Sequence, residues 1–113
     1  MSYKVITIRS FDRQIKRLIK KYASLKSDLI ALITKLQEDP KEGIDLGNNC
    51  FKIRLAIKSK GKGKSGGARV ITHFYVYADT VILLAIYDKS EQGSITEKQI
   101  LELLGKIPFD KEK

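Results

Sequence analysis

Between Leu36 and Phe51 the chain changes its hydrophobic period, and that change restricts the fold more than any other feature. Before it, Phe11, Ile15, Leu18, Ile19 and Tyr22 fall at helical spacing, and Leu29, Ile30, Leu32, Ile33 and Leu36 do so again. After it, Phe51, Ile53, Leu55 and Ile57 alternate with Lys52, Arg54, Ala56 and Lys58, the period of a half-buried strand. Residues 81–87 (VILLAIY) are continuously apolar, as in a strand covered on both faces. A chain that is helical first and stranded later belongs to the α+β class.

The remaining signals fill in an order β-α-α-β-β-β-α. Residues 3–8 are rich in β-branched side chains and predict a first strand. Ser10 is the expected N-cap of the first helix and Ser27 of the second, with Asp39-Pro40 as the stop. Residues 42–49 (EGIDLGNN) and 59–67 (SKGKGKSGG) are expected to be loops, the second flexible and basic. Strands follow over about 68–77 and 81–87, separated by a turn at Ala78-Asp79. Thr96 should cap a last helix that ends at Gly105 and Pro108, with Phe109 docking the tail. The 113 residues suffice for one core, so the expectation is a single domain over 1–113: an antiparallel sheet with two N-terminal helices packed on one face.

Charge narrows the function classes. The chain has 22 Lys+Arg against 13 Asp+Glu, a net +9, which points to a polyanionic partner. One cysteine, Cys50, and one histidine, His73, leave no disulfide and no Cys/His cluster for a metal. No apolar run approaches a membrane span and no secretory signal is visible, so a cytoplasmic location is expected.

The cations are concentrated. Residues 47–77 contain no Asp or Glu but hold Lys52, Arg54, Lys58, Lys60, Lys62, Lys64 and Arg69. Edge protection against strand pairing needs one or two lysines, not seven basic residues on one hairpin and its loop. Strand parity assigns Lys52, Arg54, Arg69, Tyr87 and Lys89 to one outward face, four cations and a phenol suited to a phosphodiester. The same parity groups Ile82 with Leu84 and Ile86, and Leu83 with Ala85 and Tyr87. Arg69, following Gly66-Gly67, is expected to hold a phosphate from a paired strand, whereas the loop lysines attract a polyanion without fixing its geometry. Gly63-Lys64-Ser65 is not a phosphate-binding P-loop, because Lys58 stands where its first glycine is needed and a strand follows. His73 is expected to be a packed strand residue and Cys50 an inert buried thiol. Arg13, Lys16, Arg17 and Lys20 form a basic helix face, either solvated or a second polyanion contact.

Taken together, residues 51–56 (FKIRLA), 60–71 (KGKGKSGGARVI) and 84–91 (LAIYDKSE) resemble the toxins of bacterial type II toxin–antitoxin modules, in the RelE superfamily and its HigB-like branch. The resemblance implies a RelE-like fold and a ribosome-associated, metal-free endoribonuclease of messenger RNA that needs no cofactor. In that chemistry the ribose 2′-OH attacks the adjacent phosphate and leaves a 2′,3′-cyclic phosphate and a 5′-OH. It implies roles at the cut phosphate for Arg54, Arg69 and Lys89, with Lys52 in the same basic pair binding RNA; the charge pattern adds Lys64 and Tyr87 as catalytic candidates and Lys58, Lys60 and Lys62 as RNA-binding ones. Many members carry a tyrosine a few residues after Lys89; here Ser94-Ile95-Thr96 has none, and Tyr87 and His73 are the substitutes on offer. The implied partners are messenger RNA, the ribosome and a cognate antitoxin with a helix-turn-helix domain, the free toxin being monomeric and without a membrane partner. The alternatives are a ParE-like toxin of DNA gyrase, which generally lacks such a cation set, and a non-catalytic nucleic-acid-binding regulator, for which no recognition helix is visible.

Overall fold

The computed structural model describes residues 2–108, so the expected docking of Phe109 lies outside the described residues. Strand β1 (Lys4–Thr7) leads into helices α1 (Arg9–Lys21) and α2 (Leu25–Glu38). Strands β2 (Ile44–Gly47), β3 (Cys50–Leu55), β4 (Ala68–Tyr75) and β5 (Thr80–Asp88) follow, and α3 (Glu97–Leu104) closes the chain. The α+β reading holds, with one sheet in the order β1-β5-β4-β3-β2.

Two details of the sheet differ from expectation. The sheet is mixed, because β1 pairs with β5 in parallel, Lys4 opposite Thr80 and Thr7 opposite Leu83. The two helices are the crossover that carries the chain from β1 toward the far side of the sheet, so β1 joins the opposite edge from β2. The expected loop at 42–49 contains β2, which forms a hairpin with β3. Its turn residues, Asn48 and Asn49, both have φ of +56°, the left-handed conformation that a tight two-residue hairpin needs and asparagine tolerates.

Both early helices start before the serines expected to cap them. Ile8 is the N-cap of α1. Ser10 instead donates to the Leu84 carbonyl at 3.3 Å. Gln14 Oε1 accepts the Ile86 N–H at 3.0 Å. Beyond Thr7 the edge of β5 has no strand beside it, and these two α1 side chains satisfy its free backbone groups. In α2 the sequence turns helical at Leu25, which is fully buried. Ser24 Oγ donates to Asp28 Oδ2 and accepts the Ser59 N–H, tying the helix start to the segment after β3. Thr96 caps α3 as expected: it accepts the Gln99 N–H at 3.1 Å and Gln99 Oε1 accepts the Thr96 N–H at 2.8 Å.

The core lies between the sheet and the two early helices. Phe11 and Leu18 of α1 and Leu25, Leu32 and Leu36 of α2 are buried with Phe51, Ile53, Val70, Val81, Leu83 and Ile86. All nine residues of β5 are buried, since α3 packs on this strand as well. A bulge at Leu84 breaks the parity of β5: Ile71 faces Ala85, but Thr72 faces Leu83. Ile82 therefore shares a face with Ala85 and Tyr87, and Leu83 with Ile86, reversing the expected grouping in the first half of the strand.

Candidate functional site

The strand register puts three of the expected residues in a row. Arg54 of β3 pairs with Arg69 of β4, and Arg69 with Tyr87 of β5, so all three share the sheet face opposite the core of α1 and α2. One rung along, Lys52 pairs with Ile71, which pairs with Ala85. The bulge at Leu84 lies beyond this end of β5, which is why the parity argument holds here and fails farther along.

The members of the row are unequally exposed. Arg54 is open to solvent and Lys52 is half-buried. Beyond Lys52, β3 has no neighbour on its outer side, and a cleft of about 230 Å³ opens between that edge and α2. Arg54, Lys58 and Lys64 line it together with Lys35. Arg69, by contrast, is only 5% exposed. Its Nη1 donates to the carbonyls of Lys64 at 2.8 Å and Ala68 at 3.1 Å, and its Nη2 to that of Ser65 at 3.4 Å. The guanidinium expected on a phosphate is thus turned onto the backbone that carries Lys64. Tyr87 is buried as well, and its hydroxyl has no hydrogen-bond partner. Burial pushes its phenol up, and the charge of Arg69 pulls it back in part.

Residues 59–67 are not the free loop that their glycines suggest. A 3₁₀ turn spans Lys58–Lys60. Gly66 and Gly67 donate to the carbonyls of Lys62 and Lys64 at 3.3 Å each. Gly67 must be glycine, because a Cβ there would lie 2.2 Å from the Leu55 carbonyl oxygen. Lys62 and Lys64 are exposed on this folded segment.

Lys60 departs from its expected place on RNA. Its Nζ lies 2.7 Å from Asp88 Oδ1 and 3.2 Å from Ser90 Oγ. The Asp88 side chain is fully buried and also accepts the Tyr22 hydroxyl and the Ser90 N–H and Oγ. Burial alone would raise the Asp88 carboxyl, but Lys60, Tyr22 and Ser90 together hold it well below the usual carboxylate range. Beside it, Glu91 accepts from Arg17 at 2.9 Å and Lys21 at 2.8 Å, so part of the basic face of α1 is paired rather than solvated. Lys89 is half-buried and donates to the Gly93 carbonyl at 3.1 Å.

The two remaining candidates sit apart from the row. His73 lies beside Cys50 in the register, with Sγ and Nδ1 3.7 Å apart. Burial lowers the imidazole, against hydrogen bonds that the ring donates to the backbone of Asn48 and Asn49. Cys50 is fully buried and its thiol is pushed up to about 11, so it is protonated and inert at neutral pH. Tyr22, Asp88 and the glutamines Gln14, Gln92 and Gln99 had no signal in the sequence that distinguished them; they are brought to the edges of the site by tertiary packing alone.

The arrangement is two accessible cations, Arg54 and the half-buried Lys52, on one sheet face, backed by the buried guanidinium of Arg69 and flanked by an exposed lysine on a folded loop and by a buried phenol. A family model described as the RelE toxin of the RelE/RelB toxin–antitoxin system matches residues 4–107. Among solved structures, the chain is similar to the Escherichia coli toxin RelE, a double arginine-to-alanine mutant in the free state. The two share 15% identity and a TM-score of 0.58, over 94% of each chain.

Proposed function

The chain belongs to the RelE family of toxins of toxin–antitoxin systems, and from that premise we propose that it is an endoribonuclease that cuts messenger RNA on the ribosome. The observation that carries the reading is the row Arg54, Arg69 and Tyr87 across three adjacent strands, with Lys52 one rung away and Lys64 beside it. β3 and β4 contribute no carboxylate there, and of the two carboxylates that line the cleft Glu42 is paired with Lys35 while Asp28 accepts from the Ser24 hydroxyl and the Lys58 N–H. The 60–71 and 84–91 runs favour the HigB-like branch within the family.

In the proposed reaction the 2′-oxygen forms a bond to the adjacent phosphorus and the bond to the 5′-oxygen breaks. The products are a 2′,3′-cyclic phosphate and, once the leaving oxygen gains a proton, a 5′-OH. Negative charge builds on the phosphoryl oxygens, and Arg54 and Lys64 stabilise it more than they stabilise the ground state. Arg69 is a positioning residue: it holds the backbone of Lys64 and Ser65 and adds charge behind the row. Lys89 supplies a further cation at the end of β5. Tyr87 is a buried neutral phenol, and burial pushes it further from ionising, so it does not serve as the base. His73 is four residues along β4 from Arg69, roughly 13 Å away, too far to take the 2′-OH proton. That proton passes to water or to a group of the ribosome, and the protein's contribution is charge and position. The antitoxin, with a helix-turn-helix domain of its own, covers this face with an acidic segment, and the free toxin is a monomer.

Mapping the 5′ ends of cellular transcripts after induction tests the proposal. Wild-type protein should arrest growth and generate 5′-OH ends within messages. Arg54→Ala should slow single-turnover cleavage by roughly 10²–10³, as expected for loss of one preorganised charge-stabilising donor. Intact transcripts during full arrest would sink the reading; broken DNA instead would support a gyrase-directed toxin.

A further inference from the structure

A second cleft adjoins the cation row on the other side of Tyr87. It has a volume of about 190 Å³ and lies between α1, β5 and α3. Pockets for drug-sized ligands run to about 300–1,000 Å³, so this one admits a single flat ring system. Ala85, Ile95 and Leu103 give it apolar walls.

Its polar groups are oriented by the backbone. Gln14 Oε1 is fixed by the Ile86 N–H and Gln99 Oε1 by the Thr96 N–H. A backbone N–H can only donate, so the oxygen of each amide is the bonded atom and the NH2 is the free one. Neither Nε2 has a partner among the described residues. Gln92 is fixed the opposite way: its Nε2 donates to the Ser94 carbonyl at 2.9 Å, leaving its oxygen free to accept. All three glutamines line the cleft. So does Tyr87, 94% buried and with a hydroxyl bonded to nothing in the protein. Glu102 and Lys106 also line the cleft, one charge of each sign, and two preset donors, one preset acceptor and an orphaned phenol between apolar walls make up the rest of its polar surface. An unpaired nucleobase offers matching acceptors and donors on its edge and an apolar face to the walls.

We propose that this cleft holds one base of the RNA substrate, read by Gln14, Gln92, Gln99 and Tyr87, next to the cut phosphate. The inference rests on the ribonuclease reading, since it is the cation row that makes the neighbouring ligand a nucleotide chain. Arg54 and Tyr87 are two strands apart, roughly 10 Å, so one nucleotide can span from the row to the cleft.

Two measurements test it. In the first, the side-chain amide NH2 resonances of Gln14 and Gln99 are followed while the wild-type protein is titrated with each nucleoside 3′-monophosphate, and with ribose 5-phosphate as the baseless probe. At least one nucleotide should shift both amides saturably, and ribose 5-phosphate should not. In the second, cleavage sites are sequenced on a random RNA pool with ribosomes present, for wild type, Gln14→Glu, Gln99→Glu and Tyr87→Phe. The glutamates keep the oxygen that the backbone bonds and exchange the NH2 donor for a second, negatively charged acceptor oxygen; Tyr87→Phe loses a hydroxyl that has no partner, so its thermal stability should not fall. Base preference at one position beside the cut should change roughly tenfold in each variant. Unmoved amides and unchanged preferences, with RNA still cut, would overturn the base site and leave the ribonuclease standing. Amides that shift with nucleotide in a protein that never cuts RNA would sustain the base site and overturn the ribonuclease.

Discussion

Arg69 shows how one side chain can look like a ligand in the sequence and serve as a tie in the fold. It follows two glycines at the start of a strand, a setting that suggests a guanidinium presented to a phosphate. In the folded chain it is buried, and three of its five N–H groups go to the carbonyls of Lys64, Ser65 and Ala68. Hydrogen bonds from a charged group are worth more than neutral ones, and truncation would remove all three, leaving the Lys64 carbonyl only the Gly67 N–H. Arg69→Ala should therefore lower folding stability by about 2 kcal/mol. It should also speed amide exchange at Gly66 and Gly67, whose N–H groups close the same segment. Arg69→Lys should recover only part of this, because an ammonium cannot span three carbonyls in one plane. Denaturant unfolding with residue-resolved exchange measures both effects. If stability and exchange stay at wild-type values, the guanidinium is not a structural tie, and its place is on the substrate after all.

At the scale of elements, the helices and the three main strands were legible because burial writes its period into the sequence. Helical spacing marked α1 and α2, alternation marked β3, and the unbroken apolar run marked β5 as covered on both faces. Three things were not legible. The bulge at Leu84 leaves no composition signal, since leucine suits either face of a buried strand. The parallel pairing of β1 depends on where the helices return the chain, which no local pattern records. Strand β2 was hidden because it is only four residues long, mostly exposed and ends in glycine, although the Asn48-Asn49 pair was a hairpin signal. For the site, the rung Arg54–Arg69–Tyr87 followed from parity, whereas the burial of Arg69 and the capture of Lys60 depend on tertiary contacts. The junction of α1, β5 and the 3₁₀ turn after β3 shows the same limit. Asp88 holds it together through Lys60, Tyr22 and Ser90, three residues far apart in sequence or unremarkable in pattern. Its carboxyl is held below its ordinary value of about 3.9. The folded state thus favours the ionised form, and the stability this contributes is complete above about pH 5 and lost as pH falls toward the folded-state value. Asp88→Asn keeps the shape, removes the charge and strands Lys60; it should cost about 3 kcal/mol at pH 7, as when one partner of a buried pair is removed. The variant should also lose less stability than wild type between pH 5 and pH 2. Urea unfolding across that range decides it: parallel wild-type and variant curves would mean that Asp88 is not the titrating link.

For the whole molecule, the question is how much of the +9 charge is available to a polyanion. Of the seven basic residues in the acid-free span, Arg69 is buried and Lys60 is neutralised by Asp88. Arg17 and Lys21 are paired with Glu91. Lys52, Arg54, Lys58, Lys62 and Lys64 keep no carboxylate partner among the described residues, and all lie on or beside β3 and the segment that follows it. These five form one cluster at one end of the sheet, and Arg13, Lys16 and Lys20 of α1, which likewise have no carboxylate partner among the described residues, form a second basic surface. Counterion release then sets the salt dependence of RNA binding, with log K falling by about 0.7 per log unit of salt for each phosphate neutralised on a single strand. Lys64→Ala should reduce the slope by about 0.7, one phosphate contact. Lys60→Ala should leave the slope unchanged and lower the melting temperature, because its charge is spent inside the protein. Fluorescence anisotropy of a labelled single-stranded RNA at four or more salt concentrations, beside thermal melts of both variants, separates the two. Equal slope changes would mean that the Lys60–Asp88 pair opens when RNA binds. The basic segment would then engage its substrate as a unit, and the division between structural and substrate-facing cations would have to be abandoned.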